Sequence, residues 1–108
     1  MSDIKESDWK TFNKIKDLAI ETFCENAFSE YREIMENESE HIHNRYLHHY
    51  KLVQNRNKQM ALFFDGHSRS KASLQLLAIR GEGLANKELL SQLSEEFLKN
   101  TDPESKGW

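Results

Sequence analysis

The sequence has few of the residues that cross-link, kink or interrupt a polypeptide. Its 108 residues include one cysteine, one proline and four glycines. A single cysteine excludes an internal disulfide framework and suits a reducing compartment. Neither glycine nor proline precedes Gly66, so no strong helix breaker interrupts the first part of the chain.

Long apolar runs and a strong net charge are missing as well. A mean hydropathy of -0.82 with no long apolar run excludes a membrane span. The charged opening segment MSDIKESDWK lacks the apolar stretch of a secretory signal, and we therefore expect a cytoplasmic protein. The formal charge of -3 argues against a surface that binds nucleic acid or membranes as a whole.

The length and the aromatic content predict one folded domain. Six Phe, three Tyr and two Trp can build a packed core and argue against disorder along the whole chain. Two separate cores would each be close to the size at which a domain no longer folds alone. We expect one helical domain over residues 1–100 and a frayed tail over residues 101–108, which contains Pro103 and Gly107.

Apolar residues recur every three or four positions in the first third of the chain, as in an amphipathic helix. The stripe consists of Phe12, Ile15, Ala19, Phe23, Ala27, Tyr31 and Ile34, and it is widened by Leu18, Ile20, Cys24, Phe28 and Met35. We expect this helix to be capped by Ser7 and to stop near Asn37. Between residues 18 and 28 its apolar surface is wider than one neighbouring helix can cover.

A second helix is predicted by a heptad-like pattern that ends at Asp65-Gly66. The pattern consists of Tyr46, Tyr50, Val53, Asn57, Met60 and Phe64. Residues 37–39 form either a turn, with Ser39 capping a helix from Glu40, or part of one continuous helix from 8 to 65. We prefer a hairpin, because a single helix of that length would leave its apolar stripe in water.

Two short helices complete the predicted fold. One covers residues 71–80 and is apolar nearly all round, which predicts burial. The other begins after Asn86 and presents Leu90, Leu93 and Phe97 on one face. The sequence thus predicts an all-α fold, with two long antiparallel helices followed by two short helices in a bundle.

The wide apolar surface of the first helix predicts that a second copy of the chain completes the bundle. Asn57 lies at a position where a buried Asn pair can fix the register, although an exposed Asn fits equally well. We therefore expect a non-enzymatic homodimeric module for protein–protein interaction or regulation, without a cofactor, that can act on a larger partner. The predicted interface residues are Phe23, Phe28, Tyr31, Tyr46, Tyr50, Val53, Asn57 and Met60.

Four histidines within nine residues suggest an alternative function. Glu38 and His41, and likewise Glu40 and His43, have the Glu-x-x-His spacing of metal sites in four-helix proteins. Such a site needs further carboxylates, which only a symmetric dimer would supply. The cluster therefore predicts a metal-binding bundle, a pH-responsive interface or a set of solvated imidazoles.

The uneven charge suggests a third function. Residues 1–38 contain ten acidic and five basic side chains, whereas residues 39–81 contain two acidic and seven basic ones. Pairing of an acidic helix with a basic one accounts for this division. A nucleic-acid-binding surface over residues 45–58 is the alternative, because tyrosines and cations alternate there.

A weak anion site is predicted where the third helix begins. Ser68, Arg69, Ser70 and Lys71 follow Gly66 and combine two hydroxyls, two cations and free backbone amides. The same four residues would equally form a solvated helix cap.

Overall fold

A computed structural model describes residues 4–106, and within this range the chain is helical without strands. The all-α class predicted from the sequence is confirmed. The α-helices are α1 (Glu6–Glu36), α2 (Ile42–Phe64), α3 (Arg69–Gly81), α4 (Lys87–Leu90) and α5 (Glu95–Asn100). A 3₁₀ turn, Glu104–Lys106, follows. Within the described range, none of the helices is long and apolar enough to cross a membrane.

Helix α1 begins earlier than the sequence predicted. Its N-cap is Lys5, which makes no side-chain capping bond, and the expected cap Ser7 lies inside the helix. Glu6 and Asp8 place negative charge on the first turn, where the helix dipole favours it. Asn37 ends the helix, as predicted, and its backbone N–H bonds to the carbonyl of Ile34.

The turn between α1 and α2 corrects the predicted cap of the second helix. Residues 37–39 leave the helix, so the alternative of one continuous helix is wrong. The N-cap of α2 is His41, whose Nδ1 accepts the backbone N–H of His43 at 3.4 Å. Ser39 instead donates its hydroxyl to the side chain of Asn37, because it lies within the turn and two residues before the cap.

Helices α1 and α2 pack along each other in opposite directions. Arg45 donates to the carbonyl of Met35 near the turn, and Phe23 meets Phe63 at a centroid distance of 6.3 Å far from it. The sequence separation of these contacts grows steadily away from the turn, which is the signature of antiparallel neighbours. The side of α2 that faces α1 carries Arg45, His49, Arg56 and Phe63. Tyr46 and Tyr50 stay exposed instead of packing on α1.

The hydrophobic core occupies one end of the molecule. Its fully buried members include Phe12, Ile15, Leu76 and Ile79, and none of its members lies between residues 24 and 59. The expectation that the third helix is buried nearly all round is wrong at Leu74, which is 68% exposed because only one side of α3 meets the core.

The two long helices extend beyond this core as an arm, which we define as residues 24–36 of α1 and 42–56 of α2. The radius of gyration is 16.8 Å and the longest dimension is 53 Å. A compact domain of this length would have a radius of gyration near 13 Å. Ala27 and Ile34 are the buried apolar residues of the arm.

The predicted fourth helix is broken into α4 and α5. Asn86 caps α4 as expected, with its Oδ1 accepting the N–H of Leu89 at 2.9 Å. Ser94 caps α5, and the carboxylate of Asp8 accepts hydrogen bonds from both its backbone N–H (2.8 Å) and its hydroxyl (2.6 Å). A continuous helix would not present both groups of Ser94 to α1, so this contact explains the break.

The beginning of the predicted C-terminal tail is held by the core. Thr101 is fully buried, and its hydroxyl donates to the carbonyl of Phe97 at 2.7 Å. Arg80 donates to the hydroxyl of Thr101 and to the carbonyl of Leu98. Residues 1–3 and 107–108, which belong to the predicted domain and tail, lie outside the described residues.

Candidate interaction surface

The arm carries a concentration of exposed large apolar side chains. These are Phe28 (64% exposed), Met35 (55%), Ile42 (67%), Tyr46 (68%) and Tyr50 (54%). Together with the half-buried Cys24, Tyr31 and Val53 they form the surface that we call the arm face. Its eight members are uncharged, and aromatic and Met side chains dominate it, which is the composition of the centre of a protein interface.

Helical geometry places both halves of the arm face on the same side of the arm. Each residue of an α-helix advances by about 100° around the axis. On α1 the arm face is rotated by about a quarter of a turn around the helix axis from the side that packs on α2. On α2 the arm face is rotated by the same angle, and in the same sense along the chain, from the side that packs on α1. Because the helices run in opposite directions, equal rotations in the same sense point to one common side.

The core helices lie on the opposite side of the arm. The residues of α1 that are buried toward the rest of the domain include Asp8, Ile15 and Ala19. Around the axis of α1 they lie on one flank of the side that packs on α2, and the arm face lies on the other flank. Helices α3 to α5 therefore leave the arm face uncovered.

Aromatic contacts connect the two helices across the arm face. Tyr31 lies edge-on to Phe28, with ring centroids 6.2 Å apart, and edge-on to His49 of α2, at 5.1 Å. Desolvation raises the pKa of Tyr31. At the other edge, Gln54 donates to the hydroxyl of Tyr50 at 3.0 Å. Phe28, Tyr31 and Tyr50 thus contact neighbouring side chains before any partner binds.

A bidentate ion pair fixes the arm near its base. Arg56 donates from Nε and Nη2 to the two carboxylate oxygens of Glu30, at 3.0 and 2.5 Å. The hydrogen bond from Arg56 lowers the pKa of Glu30, and the same bond raises the pKa of Arg56. Arg45 closes the other end of the arm through the carbonyls of Met35 and Glu40.

The predicted interface residues fall into three groups. Phe23 lies in the core, where it contacts Phe63 and Phe64 edge-on, and Met60 packs against the same core. Asn57 is exposed. The other five belong to the arm face, which also includes three residues that the predicted set omitted: Cys24, Met35 and Ile42. Cys24 and Met35 were visible as part of the widened stripe, and Ile42 was visible from its spacing of four residues before Tyr46, which the predicted pattern did not use.

The Glu and His residues of the suggested metal site do not share a helix face. Glu38 and Glu40 lie in the turn, outside α2. The carboxylate of Glu40 accepts the side-chain amide of Asn44 at 2.9 Å and the backbone N–H of His41 at 3.2 Å, and the bond from Asn44 lowers its pKa. Among residues 4–106, no three His, Cys, Asp or Glu side chains come together as metal ligands would.

The basic surface over residues 45–58 is smaller than its charge suggests. Helix α2 contains no acidic residue and four Lys or Arg. Arg45 and Arg56 point toward α1, where they bind carbonyl and carboxylate oxygens. Lys51 and Lys58 are exposed and are the two cations of this range left for a phosphate backbone.

The cations and hydroxyls of the predicted anion site contact one another or other parts of the chain. Arg69 binds Glu6 at 2.7 Å and lies over the ring of Trp9, while the hydroxyls of Ser68 and Ser70 are 3.2 Å apart. The side chain of Lys71 covers Gly66. This arrangement resembles a helix start that is satisfied from within the chain.

A buried lysine stabilises the same corner from beneath. Lys16 is 4% exposed, and its ammonium donates to the carbonyl of Gly66 at 2.9 Å and to Oε1 of Gln75 at 3.3 Å. Gln75 in turn donates to the carbonyls of Asp65 and Gly66. Burial lowers the pKa of Lys16. These bonds satisfy carbonyl groups just after α2 and join α1, α3 and the end of α2.

No protein-family model, no curated protein and no solved structure matches the chain. Function is therefore inferred from the surface of the chain itself, and the arm face is its most distinctive feature.

Proposed function

We propose that the chain is a non-enzymatic protein–protein interaction module of the cytoplasm whose first partner is a second copy of itself. In this proposal α1 and α2 form a helical hairpin, and two hairpins meet through their arm faces to form a four-helix bundle. The observation that carries the proposal is the set of five large apolar side chains on the arm that are more than half exposed.

The exposed area supports a specific dimer. Large side chains offer about 150–250 Å² each, so five that are half to two thirds exposed present roughly 600 Å² per protomer. Two such faces would bury about 1,200 Å², which lies at the lower limit of stable specific interfaces. Val53, Tyr31 and the rim of the face add to this area. A moderately tight dimer is therefore expected.

Sedimentation equilibrium of the full chain tests the proposal. We expect the wild type to sediment as a dimer, Phe28→Glu as a monomer, and Leu62→Glu as a dimer. Leu62 is the matched control because it is 76% exposed, apolar, on α2 and outside the arm face. Circular dichroism should show the same helical content in all three, because Phe28 and Leu62 are not part of the core.

The outcomes separate an interface from a fold effect. A wild type that stays monomeric up to about 1 mM, equivalent to an association free energy weaker than roughly 4 kcal/mol, would refute the proposal. A dimer that survives Phe28→Glu but dissociates with Leu62→Glu would place the interface elsewhere and would refute the assignment to the arm face.

A further inference from the structure

We infer that, in the dimer, the arm half of α1 in one protomer lies over α2 of its partner, and not over the partner's α1. The inference rests on the proposed function and specifies how the two copies are oriented. It follows from the position of the arm face and from the charges that border it.

Two symmetric arrangements bring the arm faces together. If the two-fold axis runs along the arms, α1 of each copy lies over α2 of the other and both arms point the same way. If the axis runs across the arms, α1 lies over α1, α2 lies over α2 and the arms point in opposite directions. Both are sterically open, because the core helices lie on the outer side of each arm.

The charges of the arm favour the first arrangement. The exposed charges on the arm half of α1 are Glu25, Glu33 and Glu36 and a single cation, Arg32, whereas Glu30 is paired with Arg56 of the same protomer. Helix α2 has no acidic residue, and its exposed cations are Lys51 and Lys58, since Arg45 and Arg56 point toward α1 of the same protomer. Placing α1 over α2 brings opposite charges to both rims, whereas the second arrangement sets acid against acid and base against base, and like-charged faces disfavour association.

The register within one protomer predicts which residues meet across the dimer. Glu30 is level with Arg56, and Phe23 is level with Phe63. Nearer the turn, Tyr31 contacts His49 and Arg45 bonds to the carbonyl of Met35, which places Met35 close to the level of Tyr46. An axis along the arms preserves height, so Met35 of one protomer faces Tyr46 of its partner, and Glu25 lies near the partner's Lys58 at the rim.

Disulfide trapping tests the orientation without requiring a known ligand. In a Cys24→Ser background, chains carrying Met35→Cys and chains carrying Tyr46→Cys are mixed, re-equilibrated and mildly oxidised. We expect clearly more than half of the disulfide-linked dimers to join the two different variants, because random pairing would give one half. Sedimentation equilibrium before oxidation checks that the variants still associate, and Leu62→Cys provides the collision background.

Charge exchange provides a second test that leaves the arm face intact. Glu25→Lys and Lys58→Glu each set like charges against each other in their own homodimers, but a mixed dimer of the two variants has opposite charges at both rims. We expect mixing to produce mainly the heterodimer.

The results distinguish the two levels of the proposal. Monomeric wild-type chain would refute the proposed function and the inference with it. A dimer in which Met35→Cys links mainly to itself, or in which the charge variants mix at random, would leave the arm-face dimer standing and refute the orientation.

Discussion

Replacing Asp8 by alanine removes the carboxylate that joins the first turn of α1 to the start of α5. Asp8 is 2% exposed, and both its oxygens accept hydrogen bonds from Ser94. The substitution leaves the half-buried N–H and the hydroxyl of Ser94 without their acceptor, and each lost hydrogen bond lowers the free energy of unfolding by about 1–2 kcal/mol. Asp8→Ala should therefore lower the free energy of unfolding by about 2–4 kcal/mol, or the melting temperature by roughly 10–20 °C for a domain of this size.

Urea denaturation followed by circular dichroism measures this loss. Glu21→Ala is the matched control, because it removes an exposed carboxylate from the same helix. Asp8→Asn keeps one acceptor oxygen and should lose about half as much. The double variant Asp8→Ala/Ser94→Ala should lose less than the two single losses combined, because both remove the same contact. If Asp8→Ala were no more destabilising than Glu21→Ala, the contact would contribute nothing and the explanation of the α4–α5 break would fail.

Three further predictions concern charge and backbone conformation. Because burial lowers the pKa of Lys16, the unfolded chain holds the Lys16 proton more tightly than the folded chain does. The free energy of unfolding should therefore increase as the pH rises from the lowered folded pKa toward the usual lysine pKa of 10.5. Lys16→Met should reduce this increase, as measured by urea denaturation at a series of pH values. The hydrogen bond from the Arg56 guanidinium lowers the pKa of Glu30, so the ion pair stabilises the fold fully above pH 4.5, and this contribution is lost as the pH falls through the lower folded pKa. Because the pair is partly exposed, Glu30→Gln should lower the free energy of unfolding by up to about 1 kcal/mol at neutral pH and should have no effect in acid. Gly66→Ala and Gly83→Ala should each cost about 1–2 kcal/mol in thermal melts, because both glycines have a positive φ; a Cβ at Gly66 would also press on the lysine side chain that covers it, whereas none would obstruct Gly83.

Features that depend on local sequence were predictable. The absence of breakers before Gly66 and the spacing from Phe12 to Ile34 predicted a long α1 that ends at Asn37. Gly66, at which the heptad-like pattern was predicted to end, lies just after α2 and has a left-handed conformation. The start of α2 was misplaced because Ser39 and His41 both can cap a helix, and only the path of the turn decides between them.

Features that depend on distant contacts were not predictable from spacing. The break before α5 requires a carboxylate on α1 that is 86 residues away in sequence. The heptad-like pattern of α2 correctly grouped Tyr46, Tyr50 and Val53 on one side of the helix, but not the direction in which that side points. The side of α2 that faces α1 includes Arg45, His49 and Arg56, and a search for apolar periodicity ignores such polar residues.

The extended outline of the chain affects how its mass can be measured. A particle about twice as long as it is wide experiences more friction than a sphere of the same mass, so it leaves a gel-filtration column somewhat early and its mass is overestimated. Side-by-side association of two arms would thicken the particle without lengthening it. Small-angle scattering should therefore detect a larger cross-section at nearly constant maximum length as the concentration increases.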